Sequence, residues 1–296
     1  MESFAQVCAL LPPALRRGAE KLPPILKRRV EEVRLRAGRT PAVVVGEDEL
    51  PLPFDGPVTR RELELTVEIA TRASAHAALE RVRQGYFTVR GGHRIGLCGS
   101  VAAEEGRVKN LQCLSSLNIR VAHAVPGCGE APLRELAGAG RFPSTLILAP
   151  PGGGKTTLLR DLARLLSNGF CISPVRVGLA DERGEVAALW EGEPQFDVGE
   201  RTDVLEGCPK AQGLMMLLRG MNPQVLACDE ITDPADCAAL ERCAGCGVTL
   251  LSTVHAKDVD DLSRKALYRE LLGRGIFEKA VVLSSGHRFR VVELPC

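Results

Sequence analysis

Residues 145–160 read TLILAPPGGGKTTLLR, an apolar run broken by two prolines and three consecutive glycines ahead of a lysine. Thr145 to Ala149 is short, β-branched and apolar, as a buried parallel strand would be, and from Thr156 onward the apolar residues take helical spacing. The glycines therefore stand between a strand and a helix. Gly152, Gly153 and Gly154 permit φ > 0 and carry no Cβ, so successive N–H groups can converge on an anion where the helix begins and its dipole points positive end outward.

The anion that suits such a junction is a phosphate chain. Lys155 supplies a mobile charge for the β and γ phosphates, and the Thr156 hydroxyl is placed to ligate Mg²⁺. The stretch is a P-loop with one departure: the first position of GxxxxGKT is Ala149. Pro151, Gly152, Gly153, Gly154, Lys155, Thr156 and Thr157 are the expected nucleotide-binding residues.

From Thr145 the pattern alternates. Strands are expected at 145–149, 175–180, 224–228 and 248–253, helices at 156–167, 211–221, 234–244 and 258–273, and two terminal strands near 281–285 and 288–294. Alternation of this kind predicts a mostly parallel sheet covered by helices on both faces. The Pro/Gly-rich VPGCGEAP, residues 125–132, marks the boundary, giving domains 1–130 and 131–296. In the first, helical spacing through Arg60 to Gln84 precedes GYFTVRGGHRIGLCGSV, a hairpin pattern about Gly91 and Gly92. This reads as a small α+β domain for regulation or oligomerisation, since it offers no nucleophile and base pair.

A P-loop alone speaks for binding. Hydrolysis is suggested by VLACDE, residues 225–230, where an apolar strand ends in two acids. Asp229 can hold a Mg²⁺-bound water, and Glu230 can deprotonate the water that attacks the γ-phosphate. That pair, with no guanine-reading NKxD motif in the chain, favours a RecA-like ATPase over a GTPase. In LLSTVHA, residues 250–256, Thr253 and His255 fall at a strand's carboxyl end, where open α/β sheets bind ligands, and could sense the γ-phosphate. In LADERGE, residues 179–185, Asp181, Glu182, Arg183 and Glu185 again follow an apolar strand. They could polarise water or engage metal, although a turn with local salt bridges explains the composition nearly as well.

The whole-chain balance excludes other classes. With 296 residues, 45% hydrophobic and 25% charged, the chain is long enough for two domains with real cores. Its 38 basic and 37 acidic residues leave a net charge of +1, which argues against a general nucleic-acid binder. The basic run Lys27, Arg28, Arg29, Arg34, Arg36 and Arg39, interrupted by Glu31 and Glu32, is expected to be a solvated helix face. No stretch reaches the ~18 apolar residues of a membrane span, and MESFAQVCALLPP lacks the features of a signal peptide, so a cytoplasmic location is expected. Eleven scattered cysteines fit reduced thiols, and Cys243 and Cys246 with nearby Cys237 fit small buried side chains better than zinc ligands.

The four elements in this order, P-loop, acidic box, strand-end Asp-Glu and histidine box, resemble the type II/IV secretion ATPase superfamily. The resemblance covers residues 140–270 and implies a RecA-like domain behind a smaller N-terminal one, assembled as a homo-hexameric ring that hydrolyses ATP with Mg²⁺. Within the superfamily the similarity narrows to an endospore-formation family and extends along the chain through VEEVRLRAGRTP, GYFTVRGGHRIGLCGS, SSLNIRVA, LADERGEVA, LLRGMNPQVLACDEI and STVHA. It implies ATP binding at Gly152 to Thr157, hydrolysis through Glu230, an acidic-box contribution from Glu182 or Glu185, and sensing by His255. It also implies partners among membrane-embedded sporulation channel proteins of the same operon, with the protein at the cytoplasmic face on the mother-cell side. Secretion ATPases commonly carry Gly-Glu where this chain has Asp229-Glu230, which leaves the Mg²⁺ coordination by Thr156 and Asp229 to be decided. A cation beyond the γ-phosphate is expected from another subunit, with Arg120 the first candidate and Arg94 the second. The alternative reading is an ATP-regulated, nucleic-acid-binding RecA-like protein.

Overall fold

The computed structural model describes residues 2–71, 85–104, 107–138, 140–284 and 288–294, with no account of the side chains of 103–112. The chain divides into two compact units, Met1–His123 and Ala124–Cys296. The division falls ahead of VPGCGEAP because that segment belongs to the second unit, where the Gly129 N–H donates to Asp161 Oδ2 at 2.7 Å.

In the first unit, helices α1 (Glu2–Ala9), α2 (Pro13–Glu20) and α3 (Pro24–Lys27) precede strands β1 (Glu32–Arg36), β2 (Ala42–Val45) and β3 (Asp48–Pro51). Helix α4 (Arg60–Ala70) and strands β4 (Tyr86–Val89), β5 (His93–Glu104) and β6 (Arg107–Arg120) follow. The sheet order is β3-β2-β1-β6-β5-β4, and each neighbouring pair is antiparallel. The expected hairpin about Gly91 and Gly92 is the β4–β5 turn, where both glycines have positive φ. Helix α4 starts at a reciprocal capping box, Thr59 with Glu62. The expected continuation of helical spacing to Gln84 lies outside the described residues. The basic run is not one helix face: α3 ends at Lys27, and Arg34 and Arg36 sit on β1, alternating with the buried Val33 and Leu35. Period-two alternation puts those apolar residues inward and the arginines on the opposite face of the sheet.

In the second unit, α5 (Glu130–Leu136), β7 (Thr145–Ala149), α6 (Lys155–Asn168) and β8 (Val177–Asp181) lead into two short strands, β9 (Leu189–Trp190) and β10 (Glu193–Pro194), and then β11 (Thr202–Glu206). Next come α7 (Lys210–Gly220), β12 (Val225–Cys228), α8 (Pro234–Gly245), β13 (Thr249–His255), α9 (Val259–Arg264), α10 (Ala266–Gly273), β14 (Lys279–Ser284) and β15 (Arg288–Glu293). The seven-stranded sheet runs β11-β8-β12-β13-β7-β14-β15, parallel except for the terminal antiparallel pair. Both faces are covered. Leu146, Leu226, Leu250 and Ala280 pack with Leu214, Leu240, Leu262 and Leu271 from helices α7 to α10, while Ile147, Ala227, Leu251 and Val281 pack with Leu133, Leu158 and Leu162 from α5 and α6.

The helix expected over 258–273 is broken in two. Lys265 is extended, with φ −87° and ψ 125°, and its ammonium donates to the His255 carbonyl while lying over the Tyr268 ring. Those contacts compensate for the interrupted helix. Among the described residues every cysteine is free, with Cys237 and Cys243 buried and Cys246 exposed, and no cluster of three metal-binding side chains occurs. No described helix is long and apolar enough to cross a membrane.

Candidate nucleotide site

Strand β7 is fully buried, so the chain emerges from the sheet only at Pro150, and the three glycines then serve two different needs. Gly152 and Gly154 take φ of +73° and +86° with nothing within 4 Å of where a Cβ would stand, so both positions face open space. At Gly153 a Cβ would come within 2.7 Å of the Ala149 Cβ and 3.0 Å of the Pro150 carbonyl. The residue that departs from the usual P-loop pattern is thus accommodated by the glycine opposite it. Gly154 caps α6 with no side-chain acceptor, which leaves the first helical N–H groups for an anion.

Lys155 is 6% exposed. Its ammonium donates to the carbonyls of Ala149 and Pro150, both at 3.2 Å, and to His255 Nδ1 at 2.7 Å. Since an ammonium can only donate, Nδ1 accepts and the ring proton sits on Nε2, which faces Glu230 Oε1 at 3.0 Å. Desolvation lowers the Lys155 pKa, against the pull of Glu230 and Asp229 in the other direction. The parallel register β12–β13–β7 places this chain of contacts along the carboxyl edge of the sheet.

Beside it, Thr156 Oγ1 donates to Asp229 Oδ2 at 3.1 Å, and the buried Thr253 hydroxyl donates to Asp229 Oδ1 at 2.8 Å while accepting from the Glu230 N–H at 3.0 Å. Two hard oxygen donors, Thr156 and Asp229, therefore stand together next to the open glycine loop. That donor set fits a Mg²⁺ ion that takes its other ligands from phosphate and water.

The acidic turn after β8 is built on Asp181 rather than on its neighbours. Asp181 is 1% exposed and accepts the N–H groups of Glu185, Val186 and Ala187; burial raises its pKa, partly offset by those bonds. Arg160 of α6 donates to the Glu185 and Val186 carbonyls at 2.7 and 2.6 Å and lies over the Phe196 ring, with its pKa lowered to about 10 by desolvation. The P-loop helix and the acidic turn are thereby joined. Glu182 points elsewhere, toward Lys210 Nζ at 3.3 Å. Glu185 meets Asp181 through its backbone. Sequence reading passed over Arg160 and Lys210; the only local signal was a charged residue at a position that the helical period turns inward.

Arg120 and Arg94 are on the first unit, opposite each other across β6 and β5. Arg120 is 61% exposed and pairs with Glu32 at 3.3 Å, and the Arg94 guanidinium stands 3.4 Å from the Tyr86 ring centroid.

A parallel sheet wrapped by helices on both faces, with a glycine loop, lysine and threonine after one strand and paired acids after another, defines a P-loop NTPase core of the RecA-like kind. Solved structures share the fold: the pilus retraction motor PilT with bound ADP, at 16% identity and TM-score 0.61 over 92% of this chain and 82% of that one, and the ATPase DotB of Legionella pneumophila, at 15% identity and TM-score 0.56 over 88% and 75%. Residues 1–292 match the family model described as sporulation stage III, protein AA, and the chain is 37% identical over 280 residues to stage III sporulation protein AA of Bacillus subtilis (strain 168), covering 94% of this chain and 90% of the relative. The chain belongs to the sporulation stage III protein AA family.

Proposed function

We propose that this protein is an ATP-hydrolysing motor that energises a sporulation-specific, secretion-like membrane channel complex from the cytoplasmic, mother-cell side. The observation that carries the reading is the continuous chain Lys155–His255–Glu230 beside the open glycine loop. On ATP binding the triphosphate takes the loop N–H groups and draws the Lys155 ammonium from its two carbonyls onto the β and γ oxygens. Thr156 and Asp229 would hold Mg²⁺, which would supply neutralisation of the charge developing on the phosphates. Glu230 accepts the proton of the attacking water, with His255 Nε2–H fixing the carboxylate. When Lys155 turns to phosphate its bond to Nδ1 is lost, so His255 registers occupancy.

Charge on the far side of the γ-phosphate comes, in this reading, from a second copy of the chain through Arg120 or Arg94, in a homo-oligomer of six. Membrane-embedded proteins of the same operon are the partners. The sporulation family and the fold shared with PilT and DotB support this assignment. Steady-state phosphate release from Mg-ATP tests it, with Lys155→Ala as the reference: that variant should lose nearly all turnover, and equal turnover in both proteins refutes the site.

A further inference from the structure

Lys210, the first residue of α7, is 4% exposed, and a buried ammonium demands partners for all three of its protons. It has three. Nζ donates to the Glu230 carbonyl at 2.6 Å and stands 3.3 Å from both Glu182 Oε2 and Asp236 Oδ2. Asp236 in turn accepts the N–H groups of Thr232 and Asp233, each at 3.2 Å, and Tyr268 OH donates to the Ile231 carbonyl at 3.0 Å. The backbone from Glu230 to Asp233 is thus pinned from several sides, and Lys210 is where that pinning meets the acidic turn. Desolvation pulls the Lys210 pKa down, but the surrounding Cys228, Asp236 and Glu182 more than reverse this and leave it raised, so the side chain stays charged.

We infer that Lys210 is a positioning residue for ATP hydrolysis and that the acidic-turn Glu182 acts through it rather than on the nucleotide. This rests on the hydrolysis reading above. The Glu230 peptide carries the general base, so a shift in Lys210 moves the carboxylate relative to water and γ-phosphate, the displacement to which proton transfer is most sensitive. Glu182 is 41% exposed and ends the chain of contacts on the solvent side. A change at Glu182 reaches the Glu230 carbonyl through the Lys210 ammonium.

The test uses the full chain, with steady-state hydrolysis, affinity for a fluorescent ATP analogue and thermal melting measured on each variant. Lys210→Met should lower kcat on the order of 10–100-fold, the cost of misplacing a reacting group, and Glu182→Gln by a smaller factor. Affinity in both should stay within about 2-fold of wild type, the ordinary error of independent sites. The double variant should be no slower than Lys210→Met alone, and Lys210→Arg should recover part of the rate. Multiplying effects of the two changes would overturn the inference, because Glu182 would then act independently. So would a lower melting temperature with unchanged kcat, which marks a structural ion pair. If Lys210→Met does not fold, wild-type kcat in Glu182→Gln refutes the proposal by itself, and reduced kcat with unchanged affinity supports it. A wild-type protein without hydrolysis refutes the function above and this inference with it; an active wild type with an indifferent Glu182→Gln refutes only this inference.

Discussion

Replacing Glu230 by Gln removes the proton acceptor and little else. The carboxylate is one quarter exposed, and Oε1 receives the His255 Nε2–H at 3.0 Å; the Gln amide oxygen can take the same bond, so the link from His255 to Lys155 survives. The backbone N–H of residue 230 keeps Asp229 and Thr253 as acceptors, and the carbonyl keeps Lys210. What is lost is general-base catalysis, about 10²–10⁴ in rate, or ~2.7–5.4 kcal/mol of transition-state stabilisation. ATP affinity should change little, because Gly152 to Thr156 are untouched. Phosphate release under saturating Mg-ATP, beside titration with a fluorescent ATP analogue, separates the two. Near-normal turnover in Glu230→Gln, above all if Glu185→Gln is inactive, would move the base to the acidic turn; equal loss of binding and turnover would show that Glu230 supports the loop instead.

Thr253→Val should destabilise the second unit by about 1.5–3 kcal/mol, the usual worth of a hydrogen bond to a charged group, because Asp229 loses its 2.8 Å donor while the Glu230 N–H keeps Asp229; urea unfolding reads this, and an unchanged midpoint would contradict the bridging geometry. Mixing Arg120→Ala with Lys155→Ala subunits should restore activity that neither has alone, and wild-type specific activity should rise with protein concentration; an active monomer with no rescue on mixing leaves Arg120 as the partner of Glu32. In the first unit His93 is fully buried, and desolvation, helped by His123, lowers its pKa from 6.5 to about 4. Between those values the unfolded chain binds a proton that the folded one refuses, so stability falls as pH drops through that window, by ~3 kcal/mol at its lower end. Melting curves from pH 7 to 4 should show this slope, and His93→Gln should reduce it; the same slope in both proteins would assign the acid sensitivity elsewhere.

Contiguity decides how much of this protein its sequence determines. The P-loop was legible because its parts lie within twelve residues and each is dictated locally: apolar β7 by burial, the glycines by φ and close approach, and Lys155 and Thr156 by their place at the helix start. The paired acids after β12 and Thr253 and His255 on β13 were legible for the same reason, since a buried strand that turns abruptly polar marks its own end. Strand β11 was not, because all five of its residues are half-buried and show no alternation, and Arg34 and Arg36 could not declare themselves strand residues until β1 found its neighbours, β2 close by and β6 at least eighty residues away. The tertiary structure alone decided which charges meet. Arg160 reaches the carbonyls of 185 and 186, and Lys210 gathers residues 182, 230 and 236, pairings set by the strand order β8-β12-β13-β7. Local sequence carries a side chain's chemistry and its inward or outward sense, but a buried cation's partner comes from whichever strand end the sheet brings beside it.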